Sequence, residues 1–234
     1  MSTSVTQPQQ RDVPAHFPPA VIRVLGAGRF GRIAAERLAR RFPRADFLVV
    51  DMHRERLEPI ERELGLPVLQ GDAVPFLLSA PLAESDWIIP AVPLHVAFGW
   101  VLGHLARRFP VKLLPVPEVV DGQVPNPFRT ESGTLYASFA TFRCPDNCSE
   151  PDAICTHTKE PRKANLFEVL ENVRANGYRV VVVRSHQLAP GVGGYPVEAL
   201  RDKLSEILRE PGRWIVATSC RCHAVVDALN WGPP

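Results

Sequence analysis

Short apolar runs alternate with helix-periodic segments through the first half of the chain. VIRVL (21–25) is apolar and β-branched and stops at Gly26, as a buried parallel strand does. From 29 to 42 the apolar positions Phe30, Ile33, Ala34, Leu38 and Ala39 recur at helical spacing, with Pro43 just beyond. FLVVD (47–51) reads as a second strand and ERLEPIERELG (55–65) as a second helix ending at Gly65, with Pro59 unsettling its first turn. PVLQGDA (67–73), DWIIPAV (86–92) and VKLLPV (111–116) supply a third, fourth and fifth strand, with a helix from about Leu94 to Phe109 before the last. This rhythm predicts an α/β fold, a Rossmann-like parallel sheet with right-handed crossovers.

Between Pro117 and Pro161 the rhythm breaks, leaving one alternating strand, TLYASFATF (134–142). It then resumes with a helix at 165–175, strand YRVVVVR (178–184), a helix at 197–209 and strand RWIVATS (213–219). A short helix is expected from about Ala224. The expected organisation is a flexible Pro/Gln-rich tail (1–20), a Rossmann-like α/β domain (21–117) and a Cys/His-bearing C-terminal α/β half (118–234).

Composition narrows the function classes. Apolar residues make up 45% and charged residues 22% of 234, and a formal charge of +2 gives no footing for nucleic acid or an anionic membrane. No apolar run reaches the roughly 18 residues that cross a bilayer. The first residues lack the apolar core of a secretory signal, so a cytoplasmic location is expected. The five cysteines are an odd count, all after residue 143, and in a reducing compartment they do not read as a disulfide framework.

The strongest motif is Gly26-Ala-Gly28-Arg29-Phe30-Gly31, which follows a strand and opens a helix. Gly26 permits the tight turn, Gly28 lets the backbone approach a diphosphate, and Gly31 allows close helix–sheet packing. The helix N-terminus offers free N–H groups to the phosphates. Asp51 ends the next strand and is placed to accept from ribose hydroxyls. Its charge would repel a 2′-phosphate, which favours NAD over NADP, although Arg54 stands three residues on.

GAGRFGRIAAERL, VVDMHRERLE and VLQGDA together resemble the TrkA-N or RCK-type NAD-binding domain of potassium channels and transporters, over about 21–91. The resemblance implies an NAD site in which Asp72 and Ala73 lie beside the adenosine. It also supports a regulatory role as an NAD(H)-sensing protein. The segment IIPAVPLHVA (88–97) is similar to one in prephenate- and 6-phosphogluconate-type dehydrogenases. That similarity implies Pro93 and His95 at the reactive end of the cofactor, with His95 as general acid or base. The alternative is a histidine that caps a helix.

Cys144 and Cys148 are followed by Cys155-Thr-His157, and Cys220-Arg-Cys222-His223 stands after a predicted strand, as does His186. Strand ends share one edge of a parallel sheet, so these segments are expected to converge. Thiolates gathered there suit an iron–sulfur cluster or zinc, held by Cys144, Cys148, Cys155, Cys220 and Cys222. Two other readings stay open. Cys220 and Cys222 precede an expected helix N-terminus, which would make a reactive thiol, or some of the five are inert core residues. The glycines of 185–196 read either as a second anion-binding loop or as a wide turn. The sequence therefore supports an NAD(H)-binding redox protein with a metal centre and a redox partner protein. An NAD(H)/redox sensor without enzymatic activity is the alternative, and a homo-oligomer is compatible with either.

Overall fold

A computed structural model describes residues 14 and 16–233. Most of the expected tail, 1–13 and 15, lies outside the described residues. His16 and Phe17 pack on the first sheet: the indole N–H of Trp87 donates to the His16 carbonyl (3.0 Å), and Phe17 meets Phe42 edge-on.

The first sheet holds β1 (Val21–Leu25), β2 (Asp46–Asp51), β3 (Val68–Gln70) and β4 (Asp86–Pro90), parallel and in the order β3-β2-β1-β4. Between them run α1 (Arg29–Arg41), α2 (Arg54–Leu64) and α3 (Ala73–Ser79). Pro59 is held at the middle of α2, where the missing N–H costs one hydrogen bond. Gly65 ends that helix at φ 65, its N–H donating to Glu61. α4 (Val96–Ala106) follows β4.

Two departures from the expected order shape the rest. VKLLPV was expected to continue the first sheet, but β5 (Val111–Leu114) pairs antiparallel with a late strand of a second sheet. The place beside β4 is taken by a hairpin of β9 (His186–Ala189) and β10 (Val192–Pro196), β10 lying antiparallel to β4. The glycine-rich segment 185–196 is therefore that hairpin and not a loop entering a helix. Glycine in a strand conceals the alternation by which strands are read.

The second sheet has the order β6-β7-β12-β11-β8: β6 (Phe128–Arg129), β7 (Leu135–Ser138), β8 (Tyr178–Arg184), β11 (Gly212–Ser219) and β12 (His223–Trp231). α5 (Leu166–Glu171) and α6 (Val197–Leu208) complete the elements used below. The helix expected from Ala224 is instead β12, which pairs antiparallel with β11 from Gly212↔Trp231 to Ser219↔Ala224. Ala224, Val226 and Ala228 are buried on one face, a period of two. The strand expected at 134–142 is ordered as β7 only to Ser138.

Three apolar layers bind these parts. One lies between the first sheet and α1/α2, around Leu38, Leu57 and Trp87. A second fills the space between the two sheets with Val101, Leu105 and Leu200 of α4 and α6, against Ile88 on one side and Val216 and Leu229 on the other. A third packs Leu166 and Leu170 of α5 on the far face of the second sheet. The middle layer fixes the carboxyl ends of β1 and β4 relative to β11 and β12, which decides the geometry of the site.

Candidate dinucleotide crevice and cysteine chamber

The glycine loop lies between β1 and α1 at the carboxyl edge of the first sheet. Gly26 has φ 102, and a Cβ there would meet the Ala91 carbonyl oxygen at 2.6 Å. A Cβ on Gly31 would lie 1.8 Å from the Gly26 carbonyl oxygen, so the helix can approach the turn only without a side chain. Around Gly28 nothing lies within 4 Å of a Cβ, leaving the space over the loop open. Arg29 and Phe30 are exposed beside it, the guanidinium over the ring at 5.6 Å.

Asp51 is 7% exposed, and its carboxylate holds the loop. Oδ2 accepts from Ala27 N–H (2.7 Å), while Oδ1 accepts from His53 N–H (2.8 Å) and lies 3.1 Å from the His53 ring. Burial pushes its pKa up, but the N–H groups of Ala27 and His53, the His53 ring and Arg56 outweigh this and hold it below its ordinary value. The carboxylate thus carries its charge at the crevice. Arg54 is drawn away by Glu58 and Glu61, and Arg56 is the cation that comes within 4.0 Å of Asp51. Asp72 is exposed and caps α3 through Val74 N–H, whereas Ala73 is buried in the core. Both stand one strand over from Asp51, joined by the bond from Gly71 N–H to the Asp51 carbonyl (2.9 Å).

Pro93 is exposed in the turn between β4 and α4. His95 sits at the N-cap of α4, yet its side chain does not cap the helix. The ring is 5% exposed and reaches the second sheet, Nδ1 lying 2.8 Å from Asp227 Oδ2 and Nε2 2.9 Å from Thr218 Oγ1.

All five cysteines line one chamber of about 760 Å3. Its wall includes Phe30 of the glycine loop and Pro90 at the end of β4, with Thr218 of β11 and His157 and His223. The sequence-derived convergence of the cysteine segments is therefore found, while His186 is turned from it and packs edge-on against Trp87. The loop carrying Cys144 and Cys148 is docked on α1. Asp146 is ion-paired to Arg29, Arg37 donates to the Asp146 carbonyl (2.6 Å), and Gly191 N–H donates to the Cys148 carbonyl (2.7 Å).

The thiols differ chemically. Cys155 is pulled below its ordinary pKa by the N–H and hydroxyl of Thr158 and by His157 N–H. Cys144 lies 3.5 Å from His223 Nε2, and burial and then Cys148, Cys222 and Cys155 raise its pKa. Cys222 accepts from Arg162 Nη1 at 2.7 Å, but burial raises it overall. Cys220 accepts the N–H groups of Cys222 and His223 (both 3.4 Å), and burial, with Glu150 nearby, pushes its thiol well up. The expected activation of Cys220 and Cys222 by a helix N-terminus is not present. They lie in the β11–β12 turn, which has no helix dipole. All five thiols are free. Among the described residues, no three His, Cys, Asp or Glu side chains are gathered closely enough to hold one metal ion.

Sequence reasoning missed Asp146, Thr218, Asp227 and Arg162. Only Asp227 left a signal, a lone acid within an apolar run.

A sheet in the order 3-2-1-4 with a glycine loop after its first strand and an acid after its second defines a Rossmann domain of dinucleotide-binding type. A sequence model of the TrkA-N domain matches residues 22–112, in agreement with the resemblance seen over 21–91. A second family model, described as an uncharacterized protein, C-terminal domain, matches residues 97–232. An uncharacterized protein of Archaeoglobus fulgidus is 30% identical over 224 residues, covering 88% of this chain and 98% of that one. The chain belongs to the family of that C-terminal domain, which here follows a TrkA-N domain. No solved structure matches it. Among the described residues no helix is long and apolar enough to cross a membrane.

Proposed function

We propose that the chain is an NAD(H)-binding redox protein in which the nicotinamide end of the dinucleotide meets the cysteine chamber. One observation carries this reading: Phe30 and Pro90, from the two sides of the nucleotide crevice, line the same chamber as all five thiols. A dinucleotide laid over Gly28, with its ribose at Asp51, would direct its other end past β4 into that space. In this reading residues 21–117 bind the nucleotide and 118–234 supply the reactive chamber. Titration calorimetry with NADH, NAD and NADPH tests it. NADH is expected to bind, Asp51→Ala to weaken binding at least tenfold, and NADPH to bind more weakly. No uptake of any of the three would remove the reading.

The five thiols with His157 and His223 are donors of the kind that hold an iron–sulfur cluster or zinc. No three of them stand close enough for one ion, so uptake would require the loop of Cys144, Cys148 and Cys155 to draw in on Cys220 and Cys222. An iron–sulfur cluster would supply single-electron transfer to a partner protein, and zinc would supply Lewis acidity. Iron, acid-labile sulfide and zinc measured after anaerobic purification test this part. Retention of metal by both Cys144→Ser and Cys220→Ser would defeat it.

A second reading, a sensor of NAD(H) or redox state, is favoured by one contact. The cysteine loop rests through Asp146 on Arg29 of the glycine-loop helix, so occupancy of one site bears on the other. NADH turnover with an artificial electron acceptor separates enzyme from sensor.

A further inference from the structure

The His95 ring, at the N-cap of α4, is tied to the second sheet by a chain of hydrogen bonds through Thr134, Asp227 and Thr218. Thr134 Oγ1 donates to Asp227 Oδ1 at 2.6 Å. Asp227 Oδ2 lies 2.8 Å from His95 Nδ1, and His95 Nε2 lies 2.9 Å from Thr218 Oγ1. A carboxylate only accepts, so Nδ1 carries the proton of the neutral ring. Nε2 is then an acceptor, and the Thr218 hydroxyl donates to it. The Thr218 oxygen keeps free lone pairs, and Thr218 lines the chamber that Phe30 and Pro90 share with the thiols. His95 itself is buried, so the hydroxyl is its way to that space.

We propose that Asp227, His95 and Thr218 form an acid–base relay serving a secondary alcohol or its ketone in the chamber. The assignment rests on the reading that the nicotinamide end of NAD(H) reaches the same space. On oxidation the substrate C–H bond breaks, its electron pair and hydrogen passing as hydride to the oxidised nicotinamide. The substrate O–H proton moves to Thr218 Oγ1 as Thr218's own proton moves to His95 Nε2, and the carbon–oxygen double bond forms. Ketone, reduced nicotinamide and an imidazolium facing Asp227 are the products, and reduction runs the same path backwards. Thr218 touches the substrate, and Asp227 positions the ring and faces its positive charge. A link serving only to tie α4 to the second sheet has no need of a hydroxyl in the chamber wall.

The test has an arm without cofactor and an arm with it. In the first, nitrogen-15 histidine NMR on the full chain reads the His95 tautomer. The Nδ1–H form is expected, with the Nε2 signal moved by Thr218→Val and restored by Thr218→Ser. An Nε2–H tautomer, or an Nε2 signal indifferent to Thr218→Val, overturns the relay. In the second, NAD-linked oxidation of a panel of secondary alcohols and 2-hydroxy acids is followed at 340 nm. Thr218→Val and His95→Gln are expected to lower turnover at least about a hundredfold with NADH affinity unchanged, and Thr218→Ser to recover most of it. Turnover within threefold of wild type in either variant overturns the relay, as does NADH binding without turnover of any panel member. Absence of NADH binding removes the dinucleotide reading instead, and the tautomer then judges the relay alone.

Discussion

The carboxylate of Asp146, midway between Cys144 and Cys148, is ion-paired to Arg29, the residue next to Gly28 in the glycine loop. Arg29 is 60% exposed and stands where a diphosphate would pass, so protein carboxylate and ligand phosphate compete for one guanidinium. Asp146→Ala frees the guanidinium for the ligand. Given that exposure, the gain in NADH affinity should be about two- to fivefold and should shrink as salt is raised. Calorimetry at two ionic strengths measures it, and weaker binding in the variant would mean that the loop supports the nucleotide.

Asp51 gives a prediction with a sign. Its folded pKa is below the ordinary 3.8, so its contribution to stability is complete above that value and is lost as pH falls through the lower folded value. Asp51→Ala leaves Ala27 N–H without its partner, which should cost about 1–3 kcal/mol at neutral pH. Urea unfolding at pH 7 and pH 3 should show the gap between wild type and variant narrowing at the lower pH.

These two residues also mark what was legible in the chain. Asp51 was readable because the glycine loop and the acid after the next strand are local features separated by one helix. The pairing of Asp146 with Arg29, and of Asp227 with His95 across 132 positions, depends on how a second sheet packs on the first. No local pattern encodes that packing. The segment from Ala224, expected as a helix, carries Ala and Leu that suit one, yet its alternating burial is that of the strand β12. The β9–β10 hairpin was hidden by Gly191, Gly193 and Gly194. At Gly194 a Cβ would lie 2.7 Å from the Ile88 carbonyl oxygen, so the residue that blurs the strand pattern is what lets β10 lie against β4.

The thiols should separate by reactivity. Cys155, with N–H groups and a hydroxyl directed at its sulfur, holds the largest thiolate fraction, and Cys220, raised by burial, the smallest. Iodoacetamide at pH 7.5 on the reduced protein, followed by peptide mass spectrometry, should label Cys155 first and Cys220 last. Early labelling of Cys220 would show that the β11–β12 turn opens in solution.

His186 should make the chain sensitive to mild acid. Burial, with Arg184 and Arg221 adding repulsion, lowers its pKa from 6.5 to about 4. The fold holds the ring neutral while the unfolded chain takes up a proton below pH 6.5, so stability falls between pH 6.5 and 4. The loss should be on the order of 2 kcal/mol. His186→Gln should flatten that part of the stability profile relative to wild type. Parallel profiles would place the acid sensitivity elsewhere.

The glycine loop allows fold and ligand to be separated by two substitutions of the same size. At Gly31 an added Cβ would lie 1.8 Å from the Gly26 carbonyl oxygen, a backbone atom that cannot step aside without moving β1 or α1. Gly31→Ala should therefore lower the melting temperature by several degrees, a loss of a few kcal/mol. At Gly28 the backbone is extended, with φ −67, and a Cβ meets nothing within 4 Å. Gly28→Ala should leave the melting temperature within about a degree, because alanine adopts that conformation without strain. The added methyl would nevertheless occupy the surface a diphosphate needs, so NADH binding should fall at least tenfold. A Gly28→Ala protein that melts like wild type and binds NADH equally well would mean the dinucleotide does not cross this loop. Loss of binding with the fold intact would locate the diphosphate there by a contact that stability cannot counterfeit.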